Sequence, residues 1–465
     1  MLNKFPAGSS EKFVASATSA TVHAPLPLED RPTIAPVLFE ERISALDTVR
    51  GFALLGILLM NITEFGLPHP ASWNPAVAGG STGWNLFTWV FSEVLADGKM
   101  RAVFSIAFGA SVLLLVERLS RKGAGIDAAD IHYRRMLWLL LFGLIHAYLI
   151  WFGDILFPYA LMGLLLFPLR KLSARGLLIV AGVMMLVMTG DNVRHYFHRE
   201  NEQREYAQIL ADEKAGKTLS SDQQDTKKDW EDTLKDFRPS PDDLKKETDA
   251  YRGSYFQLVA FRSQLVFRWH SAPIYLPNPW FDFLAMMLCG MAFLKLGILT
   301  AARSVRFYVW MAVLSFAIGL PAHAWLVWWF WKQQFSIVSS GLVGVTYEIG
   351  RVTAFGYIAV LLLFIKLNLW KSATDRLAAV GRMAFSNYIF TSVVCSILFD
   401  GYGFALFGKL QRYQLYGVVL FVWAVILVVS PIWLRHFRFG PLEWLWRSLT
   451  YWKKQPFRIR AQVAG

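Results

Sequence analysis

The residue best placed to do chemistry in this chain is a histidine inside an apolar run. His146 stands in LLLFGLIHAYLIWFGDIL, with Asp154 about two helical turns beyond it. Imidazole titrates nearest neutral pH and can take or give a proton there, and a carboxylate on the same face can orient it. An earlier apolar run opens with Asp47 and Arg50, three residues apart and so on one helical face. Asn61 lies close to three turns after Arg50, on the same stripe about 16 Å further along, and Glu64 follows one turn later. Asn61 and His146 each fall a few residues short of the same end of their runs, so they share a depth. Glu348 and Arg351 form another pair three apart, Asp282 opens a further run, and Lys99 and Arg101 begin one more. Arg50, Arg135 and Arg382 all sit at run ends where they could jointly hold an anion. The two ion pairs and the lone histidine equally suit structural hydrogen bonding. The chain carries no zinc motif, P-loop, nucleophile elbow or dinucleotide fingerprint, and no metal is expected.

These residues need elements to hold them, and composition says which. The 465 residues are 55% hydrophobic and 17% charged, against about 25% charged in soluble domains. The apolar residues gather in blocks of about 16 to 26, the length that crosses a hydrocarbon core of about 30 Å as helix. Backbone polar groups in lipid must be satisfied within each helix. The expected fold is therefore all-α, a polytopic membrane bundle of about ten transmembrane helices. The spans are Leu46–Phe65, Lys99–Leu119, Arg134–Phe152, Ile155–Leu169, Arg175–Gly190, Trp280–Leu299, Val305–Trp331, Leu342–Lys366, Val380–Phe399 and Gln414–Leu434. Trp84–Leu95 is too short to cross and is expected at the interface. Counting it would make eleven spans and invert every later loop. Cys289 and Cys395 lie inside apolar blocks and read as small core residues.

Loop charge sets the orientation. Arg118, Arg121, Lys122, Arg134 and Arg135 fill one loop, and Arg170, Lys171, Arg175, Arg303, Arg306, Lys371, Arg376 and Arg382 fill the next loops on that side. Ten spans with both termini in the cytoplasm of a bacterial inner membrane fit this alternation. The division expected is a disordered tail over 1–41, a membrane half over 42–190, a partly helical extracytoplasmic polar insertion over 191–279, a second membrane half over 280–450 and a basic tail over 451–465. The formal net charge of +13 then reflects topology and contact with anionic membrane lipids, not nucleic-acid binding.

Five ordered segments resemble one family. They are RISALDTVRGFALLGILLMNI (Arg42–Ile62), MRAVFSIAFG (Met100–Gly109), the His146–Asp154 segment, GRMAFSNYIFTS (Gly381–Ser392) and GPLEWLWR (Gly440–Arg447). Together they resemble the YeiB family, which carries the domain of unknown function 418 in its C-terminal half. That family is distantly similar to the lysosomal heparan acetyltransferase and to bacterial membrane O-acyltransferases that modify surface glycans. The resemblance implies transfer of an acyl group from cytosolic acyl-CoA, such as acetyl-CoA, to an extracytoplasmic glycan or lipid. The O-acyltransferases have a histidine where this sequence has Asn61, as the heparan-type enzymes have.

On that implication His146 is the base or a transient acyl acceptor, and Asn61 bonds the thioester oxygen. Asp154 or Glu348 orients the histidine or binds the acceptor, and Arg50, with Arg135 or Arg382 and beside Asp47, holds the CoA phosphates. Glu64, Arg101, Asp282 and Arg351 complete the outer-half polar set. A second reading is a transporter or permease for a small solute, lipid or glycan precursor, whose path the same polar stripe would line. A third is a scaffold whose working part is the 191–279 insertion. A second copy of the chain, as a homodimer, is a further expected partner.

Overall fold

Each apolar block forms the body of a helix in the computed structural model, which describes residues 43–275 and 278–459, leaving aside the side chains of 272–275, 278–279, 343 and 346–348. The N-terminal tail read as disordered lies outside the described residues. In chain order the first helices are α1 (Ser44–Gly66), α2 (Gly83–Leu95), α3 (Lys99–Arg121), α4 (Asp127–Leu149), α5 (Leu156–Leu169) and α6 (Ala174–Lys214). The polar segment continues as α7 (Ser221–Phe237), α8 (Pro241–Tyr251) and α9 (Tyr255–Tyr275). Then come α10 (Asn278–Lys295), α11 (Val305–Lys332), α12 (Ile337–Lys366), α13 (Lys371–Arg382), α14 (Ala384–Phe399), α15 (Arg412–His436) and α16 (Pro441–Thr450). No β-strand occurs among the described residues; one isolated bridge joins Phe437 to Arg458.

Six of these helices are long and apolar enough to cross a membrane, or up to seven if the bent pair α13–α14 is one span. This makes the chain an all-helical, membrane-embedded protein. Two of the other blocks, α5 and α10, are short. The 14 residues of α5 rise about 21 Å, less than a hydrocarbon core. Helix α10 is short too, but Ala285, Met286, Met287, Leu288, Met291 and Ala292 on it are fully buried. It packs most extensively against α3 and α6, so protein surrounds it. Small residues make the α3 crossing possible: a Cβ on Gly290 would stand 1.9 Å from the Ile106 carbonyl oxygen, and one on Gly109 2.0 Å from that of Met287. Backbones that close need glycine.

Two expectations about helix ends change. Helix α6 does not stop near Gly190 but runs on to Lys214, carrying its axis out of the apolar zone into the polar segment. The block read as Val380–Phe399 is broken at Met383, where α13 and α14 meet at 82°. The break opens the N-terminus of α14 inside the bundle, and Glu443 caps it by accepting the N–H groups of Phe385 (2.7 Å) and Ser386 (3.1 Å). Helix α2 is short, burying Trp89 and exposing Trp84, Phe87 and Phe91, and it runs on with α3 as one apolar stretch, Gly83–Arg121.

Candidate functional site

Two cavities stand back to back in the bundle. The smaller, of about 210 Å³, is lined among the described residues by five arginines, Arg50, Arg118, Arg135, Arg382 and Arg447, and by two carboxylates, Asp47 and Glu443. The larger, of about 1040 Å³, is lined by Asn61 and Glu64 of α1, by Arg101 of α3 and by Asp154. Its roof comes from α7, α8 and α9, including Asp243, Glu247, Arg268 and Trp269. Ile57 and Ile155 line both cavities, so the wall between them is one side chain thick at those positions.

His146 sits beside that wall. Its side chain is 1% exposed. The ring lies 6.3 Å from that of Trp151, which lines the larger cavity, and 5.0 Å from that of Tyr388, which lines the smaller. His146 Nδ1 is 2.9 Å from Asp154 Oδ1, and Asp154 Oδ2 accepts the Phe157 N–H at 2.7 Å. An ionised carboxylate only accepts, which puts the imidazole proton on Nδ1 and leaves a lone pair on Nε2. Nε2 is buried and has no hydrogen-bond partner among the described residues. Asp154 does not reach His146 along a helix, as the spacing suggested. Helix α4 ends at Leu149, the N–H groups of Ile150 and Trp151 both return to the His146 carbonyl at 2.9 Å, and the turn brings Asp154 back to the ring.

The sequence candidates therefore divide between the cavities. Asp47, Arg50, Arg135 and Arg382 line the smaller. Arg50 Nη1 pairs with Asp47 at 2.8 Å and donates to the Gly381 carbonyl at 3.2 Å, while Nη2 donates to Ser111 Oγ at 2.5 Å. The Arg135 guanidinium lies 3.7 Å over the Trp446 ring. On the larger cavity's side, Asp282 joins two helices: Arg101 Nη2 reaches its Oδ2 and Arg351 Nε its Oδ1, both at 2.8 Å. The side chain of Glu348 lies outside the described residues. Among the described residues no three His, Cys, Asp or Glu side chains gather as a metal cage.

Sequence reasoning missed four lining residues. Arg118 had read as a topology signal only and Arg447 only as the end of a family segment, and His69 and Glu247, which line the larger cavity, carried no motif at all. Glu247 Oε1 accepts the His69 backbone N–H at 2.8 Å, pinning α8 to the loop after α1. Burial pushes Glu247 up from 4.5 to about 7, against that N–H, and burial with Arg268 pushes His69 down from 6.5 to about 4. The two oppose each other. The Glu247 contribution is full below pH 4.5 and is lost as pH rises through 7. The His69 contribution is full above pH 6.5 and is lost as pH falls through 4. Protection of α8 should thus be nearly flat from pH 5 to 6.5. In Glu247→Gln it should rise over that window by about 2 kcal/mol. Amide hydrogen exchange of α8 checks this; a flat profile in the variant would remove the opposition.

An all-helical membrane bundle with a buried polar site between two cavities defines the class. The comparisons supply the family. Residues 293–453 match the family model described as protein of unknown function (DUF418). The chain is 31% identical over 428 residues to the uncharacterized protein YeiB of Escherichia coli (strain K12), covering 88% of this chain and 96% of that one. It is 30% identical over 441 residues to the uncharacterized protein YxaH of Bacillus subtilis (strain 168), covering 93% and 100%. The chain belongs to this YeiB-like DUF418 family. No solved structure matches it.

Proposed function

We propose that the chain is a transmembrane acyltransferase-like enzyme of a bacterial inner membrane, crossing it ten times with both termini in the cytoplasm. It moves an acyl group from cytosolic acyl-CoA, held in the smaller cavity, to an extracytoplasmic glycan or lipid held in the larger. The observation that carries this reading is the His146–Asp154 pair beside the wall shared by an arginine-lined and a mixed-charge cavity. Five guanidinium groups suit a polyphosphate donor. In the transfer, His146 Nε2 takes the proton of the acceptor hydroxyl or amine as the acceptor attacks the thioester carbon. Asn61 stabilises the oxygen. The C–S bond then breaks, and the leaving thiolate takes the proton from His146. Asp154 holds the tautomer. Glu64 binds the acceptor, and the Arg101–Asp282–Arg351 set braces its side of the wall.

The test is acyl-CoA binding and CoA release by the purified protein in lipid, with wild type, His146→Ala, Asn61→Ala and Arg135→Ala compared. Release should need His146, fall with Asn61→Ala, and lose donor affinity with Arg135→Ala. Two opposed cavities behind a thin wall also suit a transporter. That reading gains if sealed vesicles show substrate movement with no acyl-CoA consumed.

A further inference from the structure

One polar group at the wall has no role in the scheme above. Tyr388 stands in the second turn of α14, just past the capped break, 6% exposed and lining the smaller cavity. Its hydroxyl accepts the N–H of Ile155 at 3.3 Å and points its proton at the Gly153 carbonyl at 3.5 Å. Gly153 and Ile155 both line the larger cavity. The ring lies 5.0 Å from that of His146. Tyr388 thus lines the donor's cavity while its hydroxyl lies at the wall, against the turn that carries Asp154.

The hydrogen-bond lengths separate it from the other buried phenol nearby. Tyr159 also lines the smaller cavity, but its hydroxyl is 2.6 Å from Ser105 Oγ and 3.3 Å from the Arg101 carbonyl. An O–H donor normally sits about 2.5–3.0 Å from its acceptor. Tyr159 is fully engaged, whereas the proton of Tyr388 holds only a contact too long to count for much. Retargeting it to a better acceptor costs little. A buried donor with a weak partner, fixed by a capped helix at the wall between the cavities, is arranged to meet a charge that develops there.

We propose that Tyr388 is a catalytic residue that donates a hydrogen bond to the thioester carbonyl oxygen from the donor's side, opposite Asn61. This rests on the acyl-transfer reading. When the acceptor's nucleophilic atom bonds to the carbonyl carbon and its proton passes to His146 Nε2, the carbonyl electron pair moves onto oxygen. Tyr388 holds that oxyanion without giving up its proton. As the carbonyl re-forms, the C–S bond breaks and the thiolate recovers the proton from His146. Tyr388 ends as it began.

The experiment compares wild type with Tyr388→Phe on acyl-CoA and on the same donor with its thioester oxygen replaced by sulfur, a poorer hydrogen-bond acceptor. Tyr388→Phe should lower kcat about 10²- to 10³-fold and leave KM for acyl-CoA and the melting temperature unchanged. Sulfur should slow the wild type much more than the variant, because the variant has already lost the bond that sulfur weakens. Unchanged kcat in Tyr388→Phe overturns the proposal. So does a reduced kcat with the full sulfur penalty retained, which would mean the hydroxyl acts only through the fold. A wild type that releases no CoA from either donor overturns the acyl-transfer reading itself, and this inference with it, and is told apart by that control.

Discussion

Asp154→Asn is expected to lower turnover by about 10³- to 10⁴-fold, the scale of losing the tautomer-fixing carboxylate in a hydrolase triad, with acyl-CoA affinity nearly unchanged. The reason lies in the two bonds the carboxylate makes. Oδ2 accepts the Phe157 N–H at 2.7 Å and Oδ1 faces His146 Nδ1 at 2.9 Å. An amide has one oxygen and one NH₂. Keeping the bond to Phe157 puts the oxygen there and turns the NH₂ toward Nδ1. Nδ1 must then accept, so the proton moves to Nε2 and the lone pair that does the work disappears. The alternative flip leaves the Phe157 N–H without an acceptor in a buried turn, at a cost of about 1–3 kcal/mol. That second flip keeps the lone pair on Nε2 but is disfavoured by this cost, so most molecules lose the base, while the arginines of the smaller cavity are untouched. Steady-state turnover beside a donor-binding isotherm checks it. Near-normal turnover would remove the imidazole as base and leave His146 a structural hydrogen bond.

The apolar bundle was legible in the sequence because helix length and lipid thickness share one scale. Asp47 with Arg50 was legible too, since both lie on one regular helix. The pairing of Asp154 with His146 was read correctly as a pair but for the wrong geometry, because periodicity cannot see a helix end at Leu149. Arg351 had been matched with Glu348, whose side chain lies outside the described residues; its pairing with Asp282 from α10 went unseen. Helix-to-helix contacts of that kind have no local signature. The same holds for the larger cavity. Its α1 residues were found as polar intruders in an apolar run, but its roof comes from a polar segment where a carboxylate such as Glu247 looks like any surface acid. Tyr388 was hidden for the opposite reason: a tyrosine in an apolar helix is unremarkable until its hydroxyl is located.

Arg262→Ala should destabilise the protein by about 3–5 kcal/mol, the cost of stranding one member of a buried ion pair, and should also depress turnover. Arg262 lies on α9, 4% exposed, and its Nη2 is 2.6 Å from Asp400 Oδ1 in the turn after α14. Around this pair the polar segment is clipped to the bundle: the Gly401 N–H donates to the Tyr251 carbonyl at 2.8 Å, and Arg252 Nη2 donates to the Phe407 carbonyl at 2.6 Å. The guanidinium also stands 4.8 Å over the Tyr251 ring. Replacing both partners, Arg262→Met with Asp400→Leu, removes the stranded charge and should recover much of the stability. It should not recover the turnover. Arg262 Nη1 donates to the Ile150 carbonyl at 2.9 Å, and Ile150 begins the turn that returns Asp154 to His146. Methionine cannot make that bond, so the turn loosens although the fold is restored. Unfolding in detergent read beside turnover in lipid separates the two effects. If the double variant regained both together, the polar segment would be holding the fold alone and would have no part in placing the site.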